Sequence, residues 1–202
     1  MAKGLVTDTY LADIANVIRT KNGTETQYKP SEMAGAIENI STKAKPDFVL
    51  FEGYAATSLN LSWLDTSNIT DMTRMFSGCN NLTELNLSNF DTSNVTDMAR
   101  MFDNCNNLTE LNLSNFDTSN VTDMTYMFRN CEKLEQLDLS SFDFSKIVGN
   151  TRIFQNCGSA NSTPTIVYVK DTISQEWILG LPSFADFRPG DWTTSNVIIK
   201  NQ

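Results

Sequence analysis

The stretch NLTELNLSNFDTSNVTDMARMFDNCN, residues 81–106, is followed at once by NLTELNLSNFDTSNVTDMTYMFRNCE, residues 107–132. The two copies differ only at the pairs Ala99/Thr125, Arg100/Tyr126, Asp103/Arg129 and Asn106/Glu132. A cysteine recurs at the same 26-residue spacing, at Cys79, Cys105, Cys131 and Cys157. A fixed period of roughly 20–50 residues is typical of a solenoid, in which each unit packs only on its neighbours.

Each unit is predicted to contain one strand and one helix. Leu82, Leu85 and Leu87 share a face of the segment LTELNL, which favours a half-buried strand. The residues Met98, Met101, Phe102 and Cys105 follow the i, i+3, i+4, i+7 spacing of an amphipathic helix. The same spacing predicts helices over residues 70–79, 96–105 and 122–131. Stacking of these units would form a parallel sheet on one side and a row of helices on the other.

The pattern L-x-x-L-x-L-x-x-F-D-T-S-N-V-T-D-M-x-x-M-F-x-x-C resembles the BspA-type leucine-rich repeats of bacterial surface proteins and of phage and prophage structural proteins. The resemblance covers about residues 56–160 and implies an α/β leucine-rich-repeat solenoid built from 26-residue units. The fourth unit departs from the pattern at Val148, Gly149 and Asn150 and returns to it at Phe154 and Cys157. Such a departure is expected of a terminal unit.

The flanking segments predict two further modules, which divide the chain into residues 1–45, 46–165 and 166–202. Residues 5–40 contain the segments L-x-x-I-A-x-x-I-R-x-K-x-G and P-x-E-M-A-x-x-I, and in these they resemble the short N-terminal module of phage and prophage tail or baseplate proteins. Their apolar spacing predicts a helical hairpin, with a break near Asn22-Gly23 and a second helix opened by Pro30. We interpret this hairpin either as an attachment module or as an N-terminal cap of the solenoid.

Residues 166–202 are predicted to form a β-rich C-terminal cap. Their sequence also resembles the ends of phage-borne proteins with these repeats. The runs Ile166–Val169 and Val197–Ile199 favour strands, and Ile173–Leu181 favours a helix between them. Three aromatic residues, Phe184, Phe187 and Trp192, lie in the loop-rich part of this segment. They either mark a contact surface or cover the open end of the repeat core.

Composition argues against most catalytic and nucleic-acid functions. The chain has a formal net charge of −9 and contains no histidine, so His-dependent nucleophiles and His-ligated zinc are excluded. Its acidity argues against nucleic acid as a partner, and no apolar run is long enough for membrane insertion. The aspartates of the repeated DTSN segment are interpreted as partners of backbone amides rather than metal ligands. We therefore expect no catalytic residue, no metal and no cofactor.

The four cysteines are expected to be buried free thiols.

The candidate ligand-binding residues on the strand face form columns of polar side chains, with Glu84, Asn86, Glu110, Asn112 and Asp138 as members. Repeated donors and acceptors suit a repetitive ligand, such as a glycan. The alternative interpretation is a solvated sheet face without a ligand. The variable positions on the opposite side of each unit, Arg74, Arg100, Tyr126, Arg129 and Arg152, are the other candidates. Their alternative role is to keep the surface soluble.

We predict a non-enzymatic phage or prophage tail-associated protein that recognises a host-surface or virion partner. The partner would be a protein or cell-wall glycan on a bacterial surface, or another virion protein. The expected location is the virion, after synthesis in the bacterial cytosol. One alternative is a bacterial cell-surface adhesin of the BspA-like class, and a second is a purely architectural virion protein.

Overall fold

A computed structural model describes residues 51–55, 57–59, 61, 64–181 and 192–200. Over these residues the chain winds into a parallel β-solenoid with short strands and many turns. The elements, in chain order, are β1 (Ser58–Leu59), β2 (Glu84–Leu85), β3 (Glu110–Asn112), β4 (Gln136–Leu139), β5 (Ile166–Val169), α1 (Thr172–Leu179) and β6 (Val197–Ile199). The predicted repeat solenoid is therefore confirmed, whereas the predicted N-terminal hairpin lies outside the described residues.

The strands form two parallel sheets whose register repeats the sequence period. The first sheet contains β1 and β2, and the second has the order β3-β4-β5-β6. Ser58 pairs with Glu84 in the first sheet, and Glu110 pairs with Gln136 in the second. One coil of the solenoid therefore corresponds to one 26-residue sequence unit.

The helices predicted over residues 70–79, 96–105 and 122–131 are wrong, because these segments form consecutive β-turns. Met101 N donates to Met98 O at 3.2 Å, and Cys105 N donates to Phe102 O at 3.1 Å, which are three-residue turn bonds. The intervening amide of Phe102 instead donates to Met127 O of the next coil at 2.9 Å. Hydrogen bonds between coils thus replace the hydrogen bonds that a helix would make within itself.

The buried stripe predicted from the spacing is nevertheless present. Met98, Met101, Phe102 and Cys105 are each 0% exposed. In two consecutive β-turns the first and last residues of each turn point inward, and these residues stand at i, i+3, i+4 and i+7. The turn pair therefore buries the same positions as an amphipathic helix while keeping adjacent coils at the strand spacing of about 4.8 Å. Packed helices would need about 8–10 Å.

A residue with positive φ occupies the third position of the second turn in each pair. Gly78, Asn104, Asn130 and Asn156 have φ values of 74°, 62°, 58° and 57°. Glycine and asparagine tolerate this conformation best, and a type II turn requires it at the third turn residue. Asn130 Nδ2 also donates to Asn104 Oδ1, and Asn156 Nδ2 to Asn130 Oδ1, both at 2.8 Å. The turn residues thus form a ladder between coils.

Two stacks of aromatic rings fill the interior of the solenoid. In the first, ring centroids are 5.5–5.8 Å apart along Phe51, Phe76, Phe102, Phe128 and Phe154. In the second, Phe90 stacks on Phe116 at 6.3 Å and Phe116 on Phe142 at 6.4 Å. Tryptophans lie at the C-terminal end of both stacks. Trp192 is 4.8 Å from Phe154, and Trp177 is 4.3 Å from Phe144, whose ring lies 5.9 Å from that of Phe142.

The C-terminal segment continues the solenoid sheet. The strands predicted at Ile166–Val169 and Val197–Ile199 are observed as β5 and β6, and β5 pairs in parallel with β4. The helix predicted nearby is observed as α1, whose first turn is capped by Asp171 Oδ1 accepting from Ser174 N at 2.7 Å. The capping segment thus shares the hydrogen bonding of the repeats.

Truncation of a stacked phenylalanine tests the core. We expect Phe102→Ala to lower the free energy of unfolding by about 3–5 kcal/mol, because the ring is fully buried between Phe76 and Phe128. Urea denaturation followed by fluorescence measures the change, and Phe102→Leu serves as a control with a smaller loss. A cost below about 1 kcal/mol for the alanine variant would contradict this packing.

Alkylation of the cysteines tests their burial. Each thiol of Cys79, Cys105 and Cys131 donates to a carbonyl of the preceding coil, and burial raises the pKa of Cys79 and of Cys157 to about 12. Since the thiolate is the reactive form, iodoacetamide at neutral pH should label the folded protein hardly at all. Mass spectrometry after denaturation should show four labels. Rapid labelling of Cys105 in the folded protein would rule out the buried position.

Candidate ligand-binding face

An open groove lies on the strand face between the coils that contain β2 and β3. Its volume is about 620 Å³, and it is lined mainly by residues 83–88 and by residues between Thr109 and Asn115. Four of the residues predicted from the sequence, Glu84, Asn86, Glu110 and Asn112, line it together. The fold therefore brings these four polar residues together in one groove.

The groove coincides with a break in the strand ladder. Within the described part of the chain, β2 and β3 belong to different sheets, although their sequences are the same over Glu84–Leu85 and Glu110–Leu111. One coil later the ladder is closed, since Leu113 N donates to Asp138 O at 3.0 Å. Strand edges that are not paired offer backbone N–H and C=O groups to solvent or to a ligand.

Two carboxylates provide the free charge of the groove. Glu84 and Glu110 are exposed, and neither side-chain carboxylate has a hydrogen bond or an ion pair with another residue that the structure describes. The two glutamates occupy equivalent positions of their units. Glu84 pairs with Ser58 of the preceding coil, and Glu110 pairs with Gln136 of the following coil. These two groups are available to accept hydrogen bonds from a bound molecule.

The asparagines of the groove are half engaged by the fold. Asn86 Oδ1 accepts from Ser88 N, and Asn112 Oδ1 accepts from Ser114 N, each at 3.0 Å. These bonds hold the side-chain amides in a fixed orientation, as in an Asx-turn. By contrast, Asn115 Nδ2 donates to Leu87 O and Phe90 O at 3.1 Å, so Asn115 stabilises the joint between coils.

Asp138 stands in the same column as Asn112 but is engaged by the C-terminal segment. It is 8% exposed, accepts a hydrogen bond from Ser140 N at 3.0 Å and forms an ion pair with Lys200 Nζ. The carboxylate of Asp138 is therefore engaged within the fold, unlike those of Glu84 and Glu110. Asp138 joins the sheet to the strand that follows β5, which is a structural role.

The aromatic residues of the C-terminal loop divide into two groups. Trp192 is half-buried and packs on Phe154, which agrees with a role in covering the end of the aromatic stack. Phe184 and Phe187 lie outside the described residues.

The aspartates of the DTSN segments are engaged by backbone groups. Asp91 Oδ1 accepts from Ser93 N at 3.0 Å and from Ser93 Oγ at 2.7 Å, and these bonds lower the pKa of the carboxyl. Asp65 and Asp117 make the corresponding bonds to their own serine amides. No group of three or more acidic or cysteine side chains in the described ranges is arranged to hold a metal ion.

None of the helices described has the length and apolarity needed to cross a bilayer.

The sequence contains no signal for the break between β2 and β3. The two units that border it are the most similar pair in the chain, and their strand segments have the same letters. The groove therefore depends on how the coils pack rather than on a change of residue type.

Comparison with known proteins yields one family. The family model described as "Mycoplasma protein of unknown function, DUF285" matches residues 48–166. The match covers the repeats that resemble BspA-type repeats and excludes residues 5–40, which carry the resemblance to phage tail modules. No curated protein and no solved structure matches the chain significantly.

The ion pair of Asp138 provides a pH-dependent test. Burial opposes ionisation of this carboxyl, but the hydrogen bonds from Lys200 and Ser140 outweigh burial, and the pKa of Asp138 is lowered. A carboxyl with a lowered folded pKa stabilises the fold above its unfolded pKa of about 4 and loses this effect as the pH falls through the folded pKa. We expect the stability difference between wild type and Asp138→Asn, measured by urea denaturation, to shrink below about pH 4. A difference that does not change with pH would exclude the ion pair.

Proposed function

The chain belongs to the DUF285 family of Mycoplasma proteins of unknown function, and we propose that it is a non-enzymatic binding protein whose strand face recognises a repetitive ligand. The observation that carries the proposal is the groove between β2 and β3, where unpaired strand edges and repeated polar side chains face the same space. A solenoid presents each side chain once per coil, so its surface suits a ligand that also repeats.

The side chains of the groove define the chemistry of this ligand. Glu84 and Glu110 accept hydrogen bonds and repel anions, while the amides of Asn86 and Asn112 can donate. A polymer rich in hydroxyl or amide groups and without negative charge fits this set, which favours a neutral glycan of a bacterial surface. Because the groove contains no aromatic residue, each contact is weak, and affinity depends on several repeats binding together.

The biological setting of the proposal is a phage or prophage tail. It rests on the resemblance of residues 5–40 and of the C-terminal sequence to phage-borne proteins, together with the binding face of the repeats. In this setting residues 1–45 attach the protein to the particle, and the solenoid contacts the host surface.

Charge reversal in the groove tests this proposal. We expect the double variant Glu84→Arg/Glu110→Arg to reduce binding of the full chain to purified host cell walls by at least about tenfold, because it fills the groove with two long cationic side chains. The matched control Glu52→Arg/Glu176→Arg makes the same change of charge at exposed positions away from the groove. Both variants should keep the melting temperature of the wild type, since exposed substitutions change stability by less than about 0.5 kcal/mol.

The outcomes of this pull-down separate the candidate functions. Loss of binding by the groove variant alone supports recognition through the strand face. Absence of wall binding by the wild type, combined with co-purification with particles, would favour the architectural role. Equal loss by both double variants would show that overall charge, rather than the groove, decides binding.

A further inference from the structure

A second surface is formed by one outward residue of each coil, on the turn side of the solenoid. Arg74, Arg100, Tyr126 and Arg152 occupy the third position of the first β-turn in successive coils, and we call this column the arginine ridge. Their φ values are 59°, 59°, 60° and 51°. Bulky residues rarely adopt positive φ, because the conformation costs about 1–3 kcal/mol at each position.

The neighbouring turn shows that the fold can avoid this cost. At the corresponding position of the second turn the chain uses Gly78, Asn104, Asn130 and Asn156, the residue types that tolerate positive φ. The first turn has the same conformation and yet carries three arginines and a tyrosine. Backbone strain of this kind is retained where the side chain has a role.

Hydrogen bonds between coils set the spacing of the arginine ridge. Arg74 N donates to Ala99 O at 3.0 Å, Arg100 N to Thr125 O at 2.9 Å and Tyr126 N to Thr151 O at 3.0 Å. Successive ridge residues are therefore one strand spacing apart, about 4.8 Å, and the whole column extends over about 14 Å.

Three ridge arginines carry charge that no carboxylate neutralises within 4.0 Å among the described residues: Arg74, Arg100 and Arg152. Arg129, beside the ridge, differs, because its Nε and Nη2 donate to the two carboxylate oxygens of Asp103 at 2.7 and 2.6 Å. The guanidinium carbons of Arg100 and Arg129 lie 5.1 and 4.6 Å from the ring centre of Tyr126. Tyr126 thus holds Arg100 in position, which reduces the entropy lost on binding.

Neighbouring aspartates do not occupy these arginines. Asp71, Asp97 and Asp123 immediately precede the same turns, and each Oδ1 accepts from the amide two residues later, at 2.8, 2.8 and 2.7 Å. Their hydrogen bonds serve the turn backbone. The three ridge arginines therefore remain without a carboxylate partner, beside a parallel column of three aspartates, in a chain of net charge −9.

We propose that the arginine ridge binds a linear phosphodiester polymer without bases, of the poly(glycerol phosphate) type, which lies along the stacked coils. Guanidinium groups match phosphate oxygens in a bidentate geometry. The three arginines stand at the first, second and fourth positions of the ridge, at multiples of one strand spacing, which suits a chain with regularly placed phosphates. Nucleic acid fits less well, because bases need free aromatic platforms. The ring of Tyr126 is engaged by two guanidiniums, and no aromatic side chain in the described ranges is fully exposed. This surface shares no residue with the groove, and it takes an anionic ligand where the groove takes a neutral one.

Fluorescence anisotropy of an end-labelled poly(glycerol phosphate) chain, titrated with the full-length protein, tests the inference. We expect Arg74→Gln/Arg100→Gln/Arg152→Gln to weaken binding at least about tenfold, since it removes three phosphate contacts. The matched control Lys133→Gln/Lys146→Gln/Lys170→Gln removes the same charge from exposed positions elsewhere and should weaken binding less than about threefold. With three contacts, raising the salt from about 50 to about 200 mM should lower the wild-type affinity roughly 20-fold.

A second variant separates binding from folding. Arg74→Gly/Arg100→Gly/Arg152→Gly removes the same charges and suits the positive φ, so it should melt no lower than the wild type while losing the polymer. The Glu84→Arg/Glu110→Arg variant of the groove should retain polymer binding. Absence of wild-type binding, equal losses in the arginine and lysine variants, or equally tight binding of a single-stranded oligonucleotide of the same charge would each overturn the inference.

Discussion

The fold depends on hydrogen bonds that join each coil to the next, 25 or 26 residues ahead. Phe102 N to Met127 O is one such bond at 2.9 Å, and Thr92 Oγ1 to Asp117 O is another at the same distance. Because such bonds hold the turns and the DTSN segments of successive coils together, the phenylalanine rings can stack at 5.5–5.8 Å through the interior. A helix on one side would widen the spacing there and separate the rings.

The same constraint accounts for the surfaces of the protein. A side chain that points outward in one coil is followed by its equivalent one strand spacing away, so the chain displays columns rather than isolated groups. Most polar columns are used by the fold itself, such as the Asn104–Asn130–Asn156 ladder. In the part of the chain that the structure describes, two sets remain available for binding, the carboxylates and amides of the groove and the guanidiniums of the arginine ridge. Their opposite charges imply different ligands.

The sequence predicted which residues are buried better than it predicted the backbone. The spacing of Met98, Met101, Phe102 and Cys105 is common to an amphipathic helix and to two consecutive β-turns, so periodicity alone could not separate them. The glycine or asparagine before each cysteine was the available signal, since Gly78 and Asn104 are poor helix formers that favour positive φ. The strain at Arg100, the ion pair of Asp138 with a lysine 62 residues away and the break between β2 and β3 depend on packing, and no local pattern reports them.

The choice between turns and helices is settled most directly by the hydrogen-bond partner of one buried amide. Through-hydrogen-bond NMR coupling on isotopically labelled protein identifies the carbonyl that accepts from Phe102 N. The β-solenoid requires a coupling to the carbonyl carbon of Met127, whose oxygen lies 2.9 Å from that nitrogen. A coupling to the carbonyl of Met98 would show an α-helix, and it would remove both the coil spacing and the positive-φ ridge on which the binding surfaces rest.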